Sequence, residues 1–344
     1  MFNSSKIKTN EHIYPERFRV LQILLNVTHL NQIYGELMGI ATNSGFDSQL
    51  QNEKIKLLMS NPILKESALC GEPDELYALW NVFFVYHYIN KNFRESYLAK
   101  KKQFELYGES NVFYKTRPKT QLLLLGNLTS LAFNLLDAKE FEFAYTEMLK
   151  AHDKVQGFEG LKFEQRSAFG LLRFKFQKDY SGLEKHVAYI TENLAKHKNG
   201  FAIVREMDTY FNVAIAFFRK KDFGKALDWL NKILNHPRVE ERQQVHRYAR
   251  QFELLVHFEL KNFELLDYKI TNTQRYLAKR KTGDEFDKVL LNGFRQLIKA
   301  KDKTELKNQF VQLRRAIEKI FSSEELRKIE EQFEYLAWVE EKLK

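Results

Sequence analysis

The side chains with reactive chemistry are few and scattered. Cys70 is the single cysteine, set in Ala68-Leu69-Cys70-Gly71-Glu72-Pro73, so neither an intramolecular disulfide nor a thiolate metal cluster can form. A nucleophilic thiol needs a base and stabilising donors beside it. The local sequence identifies neither, which makes a Cys70-dependent hydrolase the most distant function class. None of the nine histidines has the paired spacing with an intervening Glu that puts two ligands and a base on one helix face. His236 and His246, with Glu240 or Glu241, are the one set that would meet across a turn and offer nitrogen and oxygen ligands. Hydrogen-bonded or exposed histidines near helix ends are the simpler reading. Gly35–Gly39 and Gly157–Gly160 do not run on into Gly-Lys-Ser/Thr, so no phosphate loop is present. Carboxylates recur along solvated faces without a distinctive buried pair. The expectation is a non-enzyme that holds no cofactor and no metal.

Charge gives a different kind of chemistry. The net charge is +10, from 55 Lys plus Arg against 45 Asp plus Glu. Such an excess attracts nucleic acid, anionic membranes or acidic proteins. Acidic residues are interspersed almost everywhere, however, as on helices with solvated outer faces. The strongest cluster lies in 261–319, where Lys279, Arg280, Lys281, Lys288 and Arg295 are flanked by further Lys and Arg. Projected into one groove, these residues would contact phosphates or an acidic peptide. Asp284, Glu285, Asp287 and Glu305 interrupt the run, and neither a zinc-finger spacing nor an RNA-recognition strand motif accompanies it. Lys100-Lys101-Lys102 spreads around most of a helix circumference and reads as a solvated face.

The elements that would carry these residues are helices. Phe (29) and Tyr (16) are abundant while Gly (14) and Pro (5) are sparse, which supplies bulky interface material with few interruptions. The N-terminus lacks the apolar core of a signal peptide, and no apolar run approaches a membrane span. A soluble, cytoplasmic protein without a membrane partner is expected. Near the start, a helix is predicted from Pro15 to about His29 with Phe18, Leu21, Leu24, Leu25 and Thr28 as its apolar stripe. A turn at Asn43-Ser44-Gly45 and a short helix from Asp47 to Met59 follow.

From Pro73 onward a pattern recurs: an aromatic-rich helix, a short polar turn, then a helix opening on an aromatic. The turn pairs are Asn92-Phe93, Glu140-Phe141, Asp179-Tyr180, Asp222-Phe223 and Asn262-Phe263, spaced 48, 39, 43 and 40 residues apart. Asp or Asn there would cap the free amides of the second helix. Trp80, Phe83, Phe84, Tyr86 and Phe217-Phe218 fall at helical spacing, as packed interface aromatics do. Residues 1–72 read as a divergent N-terminal helical cap, 73–320 as about six helix hairpins, and 321–344 as a C-terminal capping helix. Gly157-Phe158-Glu159-Gly160 marks a loop between hairpins more naturally than a domain boundary.

The stretch Tyr210–Pro237 carries Ala214, Phe217, Phe223, Ala226 and Pro237 at the positions of small contacts, aromatics and terminal proline that mark a tetratricopeptide repeat, which it resembles. The resemblance implies an all-α, antiparallel helix-hairpin solenoid, a tetratricopeptide-like superhelix with elongated helices. HEAT-like or irregular helical repeats fit the period of about forty comparably well. The Phe-, Asn- and Lys-rich composition is also similar to that of repeat proteins common in Bacteroidota, a likeness that carries no function. In the tetratricopeptide family the first helices line a concave surface. The resemblance therefore implies that Asn127 and Asn212, at similar offsets from their turns, would hydrogen-bond a bound peptide. The functional expectation is a scaffold or adaptor for a peptide or protein, with nucleic-acid binding through Lys279, Arg280, Lys281 and Arg295 as the alternative.

Overall fold

The computed structural model describes residues 13–42, 48–65, 68–106, 116–197, 203–320 and 335–344. Every regular element among them is helical: α1 (Ile13–Thr42), α2 (Ser48–Met59), α3 (Pro73–Ile89), α4 (Phe93–Leu106), α5 (Pro118–Asn134), α6 (Ala138–Lys154), α7 (Glu159–Gln177), α8 (Leu183–His197), α9 (Ile203–Arg219), α10 (Phe223–Leu234), α11 (Gln243–Glu259), α12 (Phe263–Arg280), α13 (Glu285–Lys299), α14 (Lys303–Ile320) and α15 (Tyr335–Leu343), with short 3₁₀ turns at Pro62–Leu64 and Val239–Arg242. No strand occurs among the described residues. No helix there is long and apolar enough to cross a membrane.

The chain divides into two compact units, Met1–Phe169 and Gly170–Lys344. The boundary falls inside α7 rather than in a loop, which is why no linker composition marks it. In the first unit α1 packs on α3, α3 and α4 form a hairpin, and α5 and α6 form the next. Leu30, Ile33, Leu37, Leu79, Val82 and Val85 close the core of its N-terminal part. In the second unit α9–α10, α11–α12 and α13–α14 are successive hairpins, and the leading helices α9, α11 and α13 also touch one another in order. Their shared core includes Phe217, Ala226, Leu230, Phe252, Leu266, Phe294 and Ile317. Helix α15 packs on α14 and buries Tyr335, Trp338 and Val339. The remainder of the expected C-terminal helix, and the turn at Asn43-Ser44-Gly45, lie outside the described residues.

The hairpin turns share one local geometry. Lys91, Leu136, Lys221 and Lys261 each have a left-handed backbone, with φ between 53° and 66°. The residue after each donates its amide back into the preceding helix: Asn92 to His87, Asp137 to Ala132, Asp222 to Phe217 and Asn262 to His257. This closes the free carbonyls at the helix end. The polar residue then starts the next helix. Asp222 accepts from the Lys225 amide, and Asp137 from the Glu140 amide.

Asp137 corrects the expected start at Glu140-Phe141. Helix α6 begins one turn earlier, at Ala138, which evens the spacing of the hairpins. Conversely α8 starts at Leu183 rather than Tyr180, because Asp179 turns its side chain onto the Ser181 amide.

Helix α1 differs most from expectation. It runs on to Thr42 through Gly35 and Gly39, each of which costs a helix about 1 kcal/mol relative to Ala. Burial of Ile33 and Leu37 against α3 offsets that cost. Its buried stripe is Asn26, Leu30, Ile33 and Leu37, whereas Phe18, Leu21, Leu24 and Leu25 are exposed. Asn26 donates to the Glu75 carboxylate at 2.7 Å, and Glu75 in turn accepts from the Glu72 amide that opens α3. A polar pair between the middle of α1 and the first turn of α3 therefore joins Leu30, Ile33 and Leu37 in fixing α1 on α3, in place of the expected leucine stripe.

Candidate functional site

A groove of about 490 Å³ opens between α12 and α13 in the second unit. Gln274, Leu277, Ala278 and Lys281 line it from α12 and the residue that ends it; Asp284, Asp287, Lys288, Leu291, Asn292 and Arg295 line it from α13 and its cap. Steps of three and four residues place each set on one helix face. The connection is short and strongly specified. Lys281 adopts φ 53°, and Asp284 caps α13 reciprocally with Asp287: each carboxylate accepts the other residue's amide, at 3.0 and 2.9 Å. Leu277 and Leu291 are buried and form the apolar floor together with Ala278.

The acids of the groove are occupied from below. Arg247 of α11 bridges Asp284 and lies 2.6 Å from the Asp287 carboxylate. Gln251 donates a further hydrogen bond to Asp287. Burial opposes the Asp284 charge, but the Asp287 amide and the Arg247 guanidinium outweigh it and hold the carboxyl below its ordinary range. Burial dominates at the deeper Asp287 and pushes its carboxyl up. Both acids thus belong to the structural support of the groove.

The cations of the rim are not neutralised in this way. Arg295 donates to the amide oxygens of Gln274 and, at 3.3 Å, Asn292. Lys281 and Lys288 are exposed. None of the three has a carboxylate partner among the described residues. The result is an apolar floor beneath a positive rim, an arrangement that takes an apolar anchor flanked by negative charge.

Two of the residues singled out in the sequence, Lys281 and Arg295, meet in this groove. Lys279 is exposed elsewhere on α12. Arg280 turns away to pair with Glu240 and lies 5.5 Å from the Tyr276 ring centroid. Asn127 is exposed on α5 of the first unit, and Asn212 is half-buried on α9 of the second. The sequence reading grouped Lys288 with the basic run but missed Gln274, Leu277, Leu291 and Asn292. A signal was present: Gln274, Leu277 and Ala278 before the turn, and Lys288, Leu291, Asn292 and Arg295 after it, each stand at helical steps of three and four.

The other candidate constellations come apart. His236 accepts from the Arg238 amide and lies 4.0 Å from Glu206. His246 is buried beside Tyr276, and burial with the nearby Arg250 charge pushes its imidazole down to about 4. Glu240 and Glu241 pair with Arg280 and Arg238. Among the described residues no group of three or more His, Cys, Asp and Glu is placed to hold a metal. Desolvation and then the Glu75 carboxylate push the Cys70 thiol up, which keeps it protonated and opposes nucleophilic use.

Several basic residues of 261–319 are also taken. Lys269 pairs with the buried Glu253, and Arg314 with Glu318 and Glu340. Compared with known proteins, the chain matches no family model and no curated protein sequence.

Proposed function

We propose that this protein is a helical interaction module, built of tetratricopeptide-like hairpins, and that its α12–α13 groove binds a peptide or an exposed segment of a protein partner. The observation that carries the reading is the combination of an apolar floor at Leu277, Ala278 and Leu291 with cations at Lys281, Lys288 and Arg295. The acids beneath are already held by Arg247. An apolar side chain flanked by Asp or Glu satisfies both parts of this groove, because burying the anchor supplies affinity while the rim charges select and steer.

Nucleic acid is the competing reading. It needs a run of cations free to follow a phosphate backbone. Lys269, Arg280 and Arg314 are instead engaged with Glu253, Glu240 and Glu318, which favours a compact acidic epitope over an extended polyanion.

Selection of the full chain against a displayed random-peptide library tests this. The expected consensus is one large apolar residue with neighbouring carboxylates, competed away from a Lys281→Glu/Lys288→Glu variant. A consensus without acids, or one indifferent to that variant, would overturn the assignment of the groove. Binding of a fluorescent oligonucleotide that falls steeply with salt and is abolished by the same variant would favour the nucleic-acid reading.

A further inference from the structure

Helix α1 has two apolar faces and, among the described residues, a partner for only one. Asn26, Leu30, Ile33 and Leu37 are buried toward α3, whereas Phe18, Val20, Leu21, Leu24 and Leu25 are 71, 54, 58, 57 and 65 % exposed. At 3.6 residues per turn the five exposed side chains lie around the side opposite the buried stripe. A helix that is apolar on both sides is normally covered on both. Together these side chains present about 500 Å² of apolar surface, toward the upper end of the largest patches found on soluble monomers.

We propose that this face is where a second copy of the chain docks, α1 against α1, antiparallel about a two-fold axis. The pairing is self-complementary. With its centre near Leu21 and Gln22, Phe18 of each copy meets Leu25 of the other, and Leu21 and Leu24 fill the middle. Both copies together can bury at most about 1,000 Å², the lower limit for a specific interface, and the contact leaves the α1–α3 packing intact. The antiparallel sense follows from charge: a parallel pair would bring two positive helix N-termini together.

A lipid surface is the weaker occupant. Anchoring an amphipathic helix to anionic lipid takes a cluster of four or more cations. The exposed half of α1 offers Arg17 and Arg19 beside Glu16, and Arg19 is already bridged to Glu72. The interface uses no residue of the α12–α13 groove, so each is tested without the other.

Sedimentation velocity of the full chain from about 1 to 100 μM, which covers the weak end of the affinities that specific interfaces show, is the direct test. A reversible monomer–dimer equilibrium is expected. Leu21→Glu/Leu25→Glu should weaken it at least a hundredfold, with an unchanged helical signal and, at dilution where both proteins are monomeric, an unchanged melting curve, since both side chains are exposed in the single chain. Leu265→Glu, an exposed leucine on α12, should leave it unchanged. In a Cys70→Ser background, Leu21→Cys should form an intermolecular disulfide on mild oxidation. A chain that stays monomeric throughout overturns the proposal. So does association that survives the double variant or is equally lost with Leu265→Glu. Monomers that float with phosphatidylserine vesicles through the α1 leucines would overturn it in favour of a membrane surface.

Discussion

The guanidinium of Arg247, on α11, lies 2.6 Å from the carboxylate of Asp287, on α13, beneath the floor of the candidate groove. Only 2 % of Asp287 is exposed, so the pair joins two leading helices of successive hairpins through a low-dielectric space. Removing one member of such a pair leaves an uncompensated buried charge, at a cost of about 3 kcal/mol or more. Arg247→Met should therefore destabilise the chain by about that amount in urea unfolding, whereas Arg247→Met/Asp287→Leu should recover only part of the loss, because Asp287 also accepts from the Asp284 amide at the start of α13 and from Gln251. An unchanged midpoint in the single variant would show that the pair contributes nothing.

Lys100 should make stability depend on pH in the alkaline direction. Its ammonium is buried on α4, 2.8 Å from the Asn81 side-chain oxygen, 2.9 Å from that of Gln103 and 4.1 Å from the Phe84 ring centroid. Burial lowers its pKa from 10.5 to about 7. Between those values the unfolded chain binds the extra proton, so this residue's contribution to stability rises as pH climbs from about 7 to 10.5 and is least favourable below pH 7. Lys100→Met should remove that slope and gain most over the wild type in acid. Parallel stability–pH curves for the two proteins would contradict the assignment.

At the hairpin turns a simple substitution should stabilise. Lys261 holds φ 58°, a conformation that costs a side-chain-bearing residue about 1–2 kcal/mol. Glycine relieves that cost but loses about 0.5–1 kcal/mol through its freer unfolded chain. Lys261→Gly should thus raise stability by about 0.5–1 kcal/mol, visible as a higher melting temperature. A lower one would mean that the lysine side chain makes a contact worth more than its strain.

Gly170 and Gly160 share helix α7 yet should respond oppositely to alanine. A methyl group at Gly170 would lie 2.3 Å from the His186 ring of α8, while nothing comes within 4 Å at Gly160. His186 is itself stacked with Tyr189 and edge-on to Phe174, which limits its retreat. Gly170→Ala should cost about 1–3 kcal/mol through overpacking, and Gly160→Ala should be neutral or slightly stabilising. Equal melting curves for the two variants would contradict this close helix approach.

The helices and their turns were legible in the sequence because they are specified locally. Asp222 or Asp137 is both the end of one hairpin turn and the side-chain cap of the next helix, and neither needs tertiary information. Which face a helix buries is a different matter. The leucine period of α1 was visible, but Phe18, Leu21 and Leu25 satisfy it as well as Leu30, Ile33 and Leu37 do. The choice rests on Asn26 meeting Glu75, forty-nine residues away. The groove was legible only in part for the same reason. Lys281 and Arg295 stood out by charge, yet the engagement of Asp284 and Asp287 by Arg247 depends on α11 lying beneath both.

Peptide binding by the α12–α13 groove is tested most directly by fluorescence anisotropy. A labelled peptide with one leucine flanked by glutamates is titrated with wild-type chain, Lys281→Glu/Lys288→Glu and Leu291→Glu. Saturable binding is predicted, weakened at least about tenfold by reversing the two rim charges and lost when the apolar floor carries a carboxylate. Binding that is equally strong in all three proteins, or a peptide with lysines in place of the glutamates binding as well, would contradict it.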